Sequence, residues 1–254
     1  MSGLVVLLGH DIGYSASPAM HAAAFAALGL DARYELADVD AAGLAGAVAA
    51  LRAPDRLGAN VTRPHKVAVC AHVDRLAPEV RDLGAANTIV ARDGRLVAHN
   101  TDVMALATHL GEMGSYARAV VLGDGGAARA VRAVLRAAGT AVATVDRAHW
   151  SSLADALVDA DLLVNATPIG TGSIESPVRA DLLRAGLAVF DLVYRPSPTR
   201  LVREARAAGA VARGGAGMLL AQAAASLELW TGQRAPLEAM RNALRTELGP
   251  EIDA

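Results

Sequence analysis

In the first half of the chain, short apolar runs alternate with longer stretches in which apolar residues recur at helical spacing. Short runs bounded by glycine, proline or polar residues predict strands, and longer periodic stretches predict helices. The predicted strands are 4–8, 33–37, 57–61, 89–91 and 96–98. The predicted helices are 19–28, 41–52, 74–83 and a segment ending near 113, and 67–73 carries a further apolar helical face. The turn at Asp93-Gly94 makes the last two strands a predicted hairpin.

The second half of the chain alternates strands and helices more regularly. The predicted strands are 119–122, 141–145, 162–164, 187–190 and 210–213. The predicted helices are 127–138, 198–208, 218–230 and 236–248. Strands that alternate with helices indicate a parallel sheet covered on both faces, so the sequence predicts an α/β protein.

Composition and charge then exclude several classes of protein. The 254 residues are 53% hydrophobic and 20% charged, which is typical of a globular chain of one large or two modest domains. A net charge of −2 without a basic block argues against nucleic acid as a partner. No apolar run is long enough for a membrane span, and the single cysteine, Cys70, favours a reducing compartment. We therefore expect a cytoplasmic protein.

Lys66 is the only lysine, since the other 23 of the 24 basic residues are arginine. A guanidinium stays protonated near neutral pH, whereas a desolvated ammonium can take part in proton transfer. Lys66 closes the segment Asn60-Val61-Thr62-Arg63-Pro64-His65-Lys66, which begins in the last two residues of the predicted strand 57–61. Thr62 and Lys66 would thus project from a strand-to-helix junction, where open α/β sheets often bind ligands. No metal site is predicted.

Other polar residues stand at predicted element ends. Ser17 can cap the helix that Pro18 begins, whereas Ser15 has no capping duty, and their alternation directs two hydroxyls toward one space. Asn87 and Asp102 also follow predicted elements, although a turn residue and a first-turn acid would explain them equally well.

The segment Gly123-Asp124-Gly125-Gly126-Ala127 lies between a predicted strand and a predicted helix. In that context glycines let the backbone approach a pyrophosphate, whose charge the helix N-terminus favours. Asp146 ends the next predicted strand, where an acid can bind a ribose hydroxyl. The second half therefore predicts a dinucleotide site.

Eight motifs in order resemble the shikimate/quinate dehydrogenase family over nearly the whole chain. Those of the first half are Ser15-Ala16-Ser17-Pro18, Asn60-Val61-Thr62-Arg63-Pro64-His65-Lys66, Gly84-Ala85-Ala86-Asn87-Thr88 and Asn100-Thr101-Asp102. Those of the second half are Gly123-Asp124-Gly125-Gly126-Ala127, Asn165-Ala166-Thr167-Pro168, Asp191-Leu192-Val193-Tyr194 and Gly217-Met218-Leu219-Leu220-Ala221-Gln222. The resemblance implies a substrate domain, 1–101 with 219–254, and a shortened Rossmann-type NAD(P)-binding domain, 102–218, with the active-site cleft between them.

The resemblance also implies roles for individual residues. Catalysis falls to Lys66 and Asp102. The hydroxyls and carboxylate of a hydroxylated cyclohexene carboxylate would be bound by Ser15, Ser17, Thr62, Asn87, Asn100, Tyr194 and Gln222. The cofactor would contact Gly123, Asp124, Gly125, Gly126, Ala127, Asp146, Arg147, Thr167, Leu192 and Gly215.

The chain departs from the family pattern after the second Rossmann strand. NADP-dependent members usually carry Asn-Arg-Thr and a further arginine there, whereas this chain has Asp146-Arg147-Ala148-His149. The Asp146 carboxylate would repel the ribose phosphate of NADP, whereas Arg147 would attract it. Because these two effects oppose each other, we expect only a slight preference for NAD.

The resemblance implies that the enzyme interconverts shikimate and 3-dehydroshikimate with NAD(P). Quinate or an amino-substituted analogue is the near alternative, and Ser17 favours shikimate mildly. A ligand-sensing regulator on the same scaffold is the alternative of another class: Asp124 and the short cofactor domain favour it, whereas Lys66 and Asp102 oppose it. Monomer and homodimer both stay open.

Overall fold

The computed structural model describes residues 2–253. By their contacts, these residues form two compact units: the residues up to Asp102 together with Leu220–Glu247, and Val103–Leu219 together with the residues from Leu248 onward. Each unit contains its own sheet and apolar core. The predicted α/β class is confirmed. Among the described residues, no helix has the length and apolarity that crossing a membrane requires.

The first unit has a six-stranded mixed sheet in the order β2-β1-β3-β5-β6-β4. Its strands are β1 (Ser2–Gly9), β2 (Asp31–Asp38), β3 (Arg56–Val61), β4 (Arg75–Leu76), β5 (Thr88–Arg92) and β6 (Arg95–His99). Its helices are α1 (Ser17–Ala27), α2 (Leu44–Ala50), α3 (Pro78–Leu83), most of α9 (Leu237–Leu248) and the later part of α8 (Ala216–Thr231). Strands β1, β2 and β3 are parallel, so their carboxyl ends lie at one edge of the sheet.

The hairpin β5–β6 forms as its turn residues predict. Asp93 and Gly94 both have positive φ angles, 50° and 71°, which is the backbone that a two-residue turn between twisted strands requires. Thr88 and His99 close the far end of the ladder. The hairpin thus carries Asn87 and Asn100, which flank it, to the same end of the sheet.

Two predicted helices are wrong in extent because tertiary pairing competes with local pattern. Residues 67–73 form only a 3₁₀ turn, Ala68–Ala71. In the predicted helix 74–83, Arg75–Leu76 instead pair with β6 as strand β4. The Asp74 carboxylate accepts a 2.7 Å hydrogen bond from the Leu96 amide and aligns that strand. The helix α3 begins only at Pro78, which needs no N–H donor there.

The second unit has a five-stranded parallel sheet in the order β11-β10-β9-β7-β8. Its strands are β7 (Arg118–Leu122), β8 (Ala141–Val145), β9 (Leu162–Asn165), β10 (Ala188–Asp191) and β11 (Ala212–Gly214). Its helices are α4 (Asp102–Met113, from Val103 onward), α5 (Gly126–Ala137), α6 (Leu153–Leu157), α7 (Arg200–Ala207) and the start of α8. This is a Rossmann-type order in which β7 and β9 meet at the centre, where nucleotides bind in such sheets.

Beneath the first sheet, His21 of α1 is completely buried. Its ring stacks on Tyr34 at a centroid distance of 4.4 Å and lies 5.4 Å from the Trp230 ring. Neither ring nitrogen has a hydrogen-bond partner among residues 2–253. Burial therefore lowers the pKa of His21 from 6.5 to about 3.

We expect this histidine to make the first unit sensitive to acid. The unfolded chain protonates His21 below about pH 6.5 while the folded chain keeps it neutral, so its contribution to stability is present above pH 6.5 and is lost as the pH falls. Between pH 7.5 and pH 5 the loss amounts to about 2 kcal/mol. Urea unfolding at both pH values should show that His21→Phe removes this part of the pH dependence. His72→Phe, at an exposed histidine, should leave it unchanged; equal pH dependence in wild type and His21→Phe would contradict the assignment.

Candidate active site

Two loops meet at the carboxyl edge of the first sheet. The loop after β1 is joined to the loop after β3 by a 3.1 Å hydrogen bond from the His10 amide to the Arg63 carbonyl. The Thr62 amide donates to the Leu8 carbonyl at 2.9 Å, and the Thr62 methyl group lies against Gly9, where a β-carbon would overlap it. Thr62 is thereby held at the rim of the sheet and half-buried.

Ser15 and Ser17 lie on the loop that leads from β1 into α1. Ser17 does not cap α1 as expected: the helix begins at Ser17, its N-cap is Ala16, and no side chain caps it. The Ser15 hydroxyl accepts a 3.2 Å hydrogen bond from the Ser17 amide. The reason is that the helix starts one residue earlier than the serine–proline pattern predicts. The hydroxyls of Ser17 and Thr62 make no hydrogen bond within the described chain, so both can bind a ligand.

Lys66 and Asp102 form a close ion pair. Lys66 Nζ donates to Asp102 Oδ2 at 2.6 Å, and their side chains are only 17% and 5% exposed. The Lys66 carbonyl accepts a 2.8 Å hydrogen bond from the Ala86 amide, which fixes its backbone against the loop before β5. Asp102 is the first residue of α4, and its own amide donates to Asn100 Oδ1 at 3.1 Å. The pair is therefore held from both sides.

Asn87 directs the carboxylate of that pair. Asn87 Nδ2 donates to Asp102 Oδ1 at 2.9 Å, and Asn87 Oδ1 accepts from the Thr101 amide at 2.8 Å. Because a backbone amide can only donate, this second bond fixes which end of the Asn87 amide faces Asp102. The same Nδ2 lies 3.4 Å from Gln222 Oε1 on α8. Lys66, Asp102, Asn87, Asn100 and Gln222 thus come together as one cluster within the first unit.

Behind this cluster lies a buried polar network that the sequence analysis missed. Ser226 Oγ is its centre: Asn60 Nδ2 donates to it at 3.0 Å, and the hydroxyl oxygens of Thr88 and Thr101 lie 2.8 Å and 3.2 Å from it. Ser226 donates its single proton to the Gln222 carbonyl at 2.9 Å. The available signal was the spacing: Ser226 follows Gln222 by one helical turn, so both project from one face of α8.

We expect Ser226→Ala to lower the free energy of unfolding by about 1 kcal/mol, because Asn60, Thr88 and Thr101 lose a shared partner in a buried place. Urea unfolding measures the change. Thr246→Ala is a matched control, since the exposed Thr246 hydroxyl also bonds the carbonyl four residues earlier but joins no network. Equal effects of the two substitutions would show that the network adds no stability.

Two predicted substrate residues have surroundings that the motifs alone did not indicate. Asn100 is buried, and its Nδ2 donates to the Ala85 carbonyl at 2.8 Å while its Oδ1 receives the Asp102 amide. The side-chain amide of Asn100 therefore fixes the backbone at the start of α4. Tyr194 belongs to the second unit, where it follows β10 and is half-buried.

The glycine loop after β7 has the geometry of a phosphate-binding turn. Gly123 has φ 99°, and a β-carbon there would come within 3.2 Å of the Ala166 carbonyl and the Thr167 methyl group. Gly125 stands at the N-cap of α5 in extended backbone with open space around it, and Gly126 and Ala127 begin the helix. Asp124 is exposed to solvent. Free amides at a helix N-terminus without side-chain bulk fit a pyrophosphate.

The loops after β9, β10 and β11 pack against one another. Thr167 donates to Asn165 Oδ1 at 2.7 Å. The Leu192 amide donates to the Asn165 carbonyl at 3.0 Å, and a β-carbon on Gly215 would overlap the Leu192 carbonyl. Only glycine allows this backbone approach, which sets Leu192 beside Gly215.

Asp191 anchors the same loops from below. It accepts hydrogen bonds from Thr199 at 2.7 Å, from Asn165 at 2.9 Å and from the Val193 amide at 3.0 Å. Burial raises the pKa of Asp191 to about 6, although these donors lower it. The buried carboxyl group thereby joins β9, β10 and the start of α7, whose cap is Thr199.

Asp146 and Arg147 follow the end of β8. Asp146 Oδ1 accepts hydrogen bonds from the amides of Ala148 and His149, both at 3.0 Å, and from His149 Nδ1 at 2.7 Å. The His149 hydrogen bond is the largest cause that lowers the pKa of Asp146. Arg147 is exposed and makes no ion pair or hydrogen bond with any described residue.

A parallel Rossmann-type sheet with a glycine loop, in a chain whose other unit holds a lysine–carboxylate pair, defines the class of nicotinamide-dependent dehydrogenases. Comparison with known proteins specifies the family. Residues 7–89 match the model of the shikimate dehydrogenase substrate binding domain, and residues 215–245 match that of the shikimate 5'-dehydrogenase C-terminal domain.

Among its relatives, the chain is 44% identical to the shikimate dehydrogenase (NADP(+)) of Symbiobacterium thermophilum, over 93% of this chain and 92% of that protein. It is 40% identical to the shikimate dehydrogenase (NADP(+)) of Moorella thermoacetica, over 98% of this chain and 94% of that protein. Its fold matches the shikimate 5-dehydrogenase of Thermus thermophilus, solved with NADP(H) and shikimate, with a TM-score of 0.86, 38% identity and coverage of 97% and 100%. The chain belongs to the shikimate dehydrogenase family, whose members are oxidoreductases.

The expected slight preference for NAD is wrong. Both relatives are named for NADP(+), and the Thermus enzyme was solved with NADP(H). The prediction assumed that the Asp146 carboxylate faces the ribose of the cofactor. In the structure its Oδ1 instead accepts three hydrogen bonds from its own loop, while Arg147 stays exposed.

Proposed function

We propose that this protein interconverts shikimate and 3-dehydroshikimate by hydride transfer with NADP. The observation that carries the proposal is the 2.6 Å contact between Lys66 Nζ and Asp102 Oδ2, which Asn87 and Gln222 border. The relatives that match 93% and 98% of this chain are named shikimate dehydrogenases, which supports the same substrate here.

We assign ring binding to the first unit and dinucleotide binding to the second. In terms of the predicted domains, 1–101 with 219–254 would bind the ring and 102–218 would bind the dinucleotide. In the first unit, Ser17 and Thr62 offer hydroxyls without partners in the described chain, and Ser15, Asn87, Asn100 and Gln222 add polar groups near the same edge. For Tyr194, a residue of the second unit, ring binding is proposed from the family resemblance alone.

Oxidation of the ring alcohol removes a hydride from carbon and a proton from the hydroxyl group. Bound NADP⁺ supplies the hydride acceptor. Lys66 and Asp102 act on the proton together, because their side chains form one hydrogen-bonded pair at 2.6 Å. Lys66 also stabilises negative charge that develops on the ring oxygen. Asn87 keeps Asp102 oriented toward Lys66 throughout the reaction.

In the second unit, Gly123, Gly125, Gly126 and Ala127 would bind the pyrophosphate at the start of α5. Leu192 and Gly215 would border the nicotinamide, and Thr167 would close the loop beside Gly123. Asp124, which is exposed, would face solvent at the edge of this site. Arg147 would bind the 2′-phosphate.

One assay tests the proposal directly. Purified protein is given shikimate or quinate, each with NADP⁺ or NAD⁺, and formation of reduced nicotinamide is followed by absorbance. We expect the highest kcat/KM for shikimate with NADP⁺. A higher kcat/KM for quinate would show that quinate is the substrate instead of shikimate. Binding of shikimate without any turnover would indicate the ligand-sensing alternative.

A further inference from the structure

At the end of β8, the negative charge of Asp146 opposes the negative 2′-phosphate of NADP. What we infer from this rests on the proposed function. Asp146 occupies the position where an acid binds a ribose hydroxyl in NAD-dependent Rossmann folds. A 2′-phosphate carries almost two negative charges and would be repelled by a carboxylate a few ångströms away. An enzyme with aspartate here therefore needs a second feature to accept NADP.

His149 provides that feature. Its Nδ1 lies 2.7 Å from Asp146 Oδ1, the shortest of the three hydrogen bonds which that oxygen accepts. The two backbone amides come from the turn itself, so His149 is the only side chain among the described residues that bonds this carboxylate. The imidazole is 69% exposed and the Asp146 side chain 31%, so the pair lies at the surface beside Arg147.

We infer that His149 is a specificity-determining residue: it holds the Asp146 carboxylate against its own loop and so leaves Arg147 to bind the 2′-phosphate. His149 acts through Asp146 and does not itself contact the phosphate. Without the imidazole, the carboxylate keeps only the backbone donors and can rotate toward the ribose, where it opposes the phosphate and favours the free hydroxyl of NAD.

Binding of two nucleotide fragments tests this inference without turnover. Adenosine 2′,5′-bisphosphate and AMP differ only in the 2′-phosphate, and calorimetric Kd values for both give a selectivity ratio. We expect His149→Ala to reduce the ratio in favour of the bisphosphate by about three- to fivefold, which is the upper part of the range for a single exposed ion pair. His72→Ala, at an exposed histidine of the first unit, should leave the ratio unchanged.

A double-mutant cycle separates an indirect role from a direct one. In the Asp146→Asn background, where no carboxylate remains to be held, His149→Ala should change the ratio by less than about 1.5-fold. An equal loss in both backgrounds would mean that His149 contacts the phosphate, and no loss in either would mean that it is irrelevant to selectivity; both overturn the inference. Turnover of shikimate with NADP⁺ by the wild type reports on the proposed function separately.

Discussion

Replacing Lys66 with alanine should lower kcat for shikimate oxidation by about 10²–10⁴-fold, the usual contribution of a positioned proton-transfer group. Lys66 Nζ is the only cationic group within ion-pair distance of Asp102 among the described residues. Its removal therefore eliminates both the proton-transfer partner and the positive charge next to the ring oxygen. Steady-state kinetics with shikimate and NADP⁺ measure the loss. A variant that keeps about half of the wild-type kcat would exclude Lys66 from the mechanism.

Lys66→Arg should restore little of this activity, because a guanidinium keeps its proton and has a different shape. Arg33→Ala, at an exposed position on β2, is the control for loss of a positive charge elsewhere in the same unit and should retain wild-type kcat. Fold and cofactor binding are checked by circular dichroism and by NADP⁺ titration, which should match the wild type.

A loss of stability must be distinguished from a loss of chemistry. Lys66→Met leaves Asp102 buried without its cation, which destabilises proteins by up to about 3–5 kcal/mol when a buried pair is broken. The double substitution Lys66→Met with Asp102→Asn removes both charges. We expect it to recover much of the stability but none of the activity, so recovery of activity would show that the single variant had merely unfolded.

Replacing Arg147 with alanine should raise the Kd for NADP⁺ by about 10- to 100-fold, corresponding to about 1.5–3 kcal/mol for hydrogen bonds to a charged group. Arg147 follows β8, where the adenosine ribose binds in Rossmann folds, and no described residue competes for its guanidinium. NAD⁺ lacks the 2′-phosphate, so its Kd should change by less than about threefold. Titration of each variant with both dinucleotides measures the difference.

Arg203→Ala is the matched control for this prediction. Arg203 lies on α7 in the same unit and is exposed, and its guanidinium makes no ion pair or hydrogen bond with a described residue, so its removal tests the loss of one unpaired positive charge. NADP⁺ affinity within twofold of wild type in the Arg147→Ala variant would show that other groups bind the 2′-phosphate.

Local pattern was sufficient for most of the fold and for naming the candidate residues of the site. The Rossmann-type unit was predictable because each of its strands is a short apolar run and each is followed by a glycine or polar turn. Because Lys66 is the single lysine in an arginine-rich chain, the sequence indicated it as a candidate proton-transfer group. The ordered motifs brought Asp102, Asn87 and Gln222 into the same prediction, although they lie far apart in sequence.

Only tertiary structure decided features that depend on partners distant along the chain. Arg75–Leu76 form a strand because β6 offers unpaired backbone groups, and this outweighs the local helical pattern. Ser226 became the centre of a network because α8 packs its hydroxyl against residues from three other segments. A sequence shows which polar groups exist, whereas burial decides which of them must be paired.

Residues 146–149 of the proposed cofactor site show the same difference between what sequence and tertiary structure determine. The sequence by itself determined that Asp146, Arg147 and His149 stand at the end of a Rossmann strand, and it showed their opposing charges. It did not determine which way the carboxylate turns, because that depends on rotamers and on the curvature of the loop. The structure turns Asp146 toward His149, since three donors converge on one oxygen there, and this orientation leaves the positive charge of Arg147 exposed.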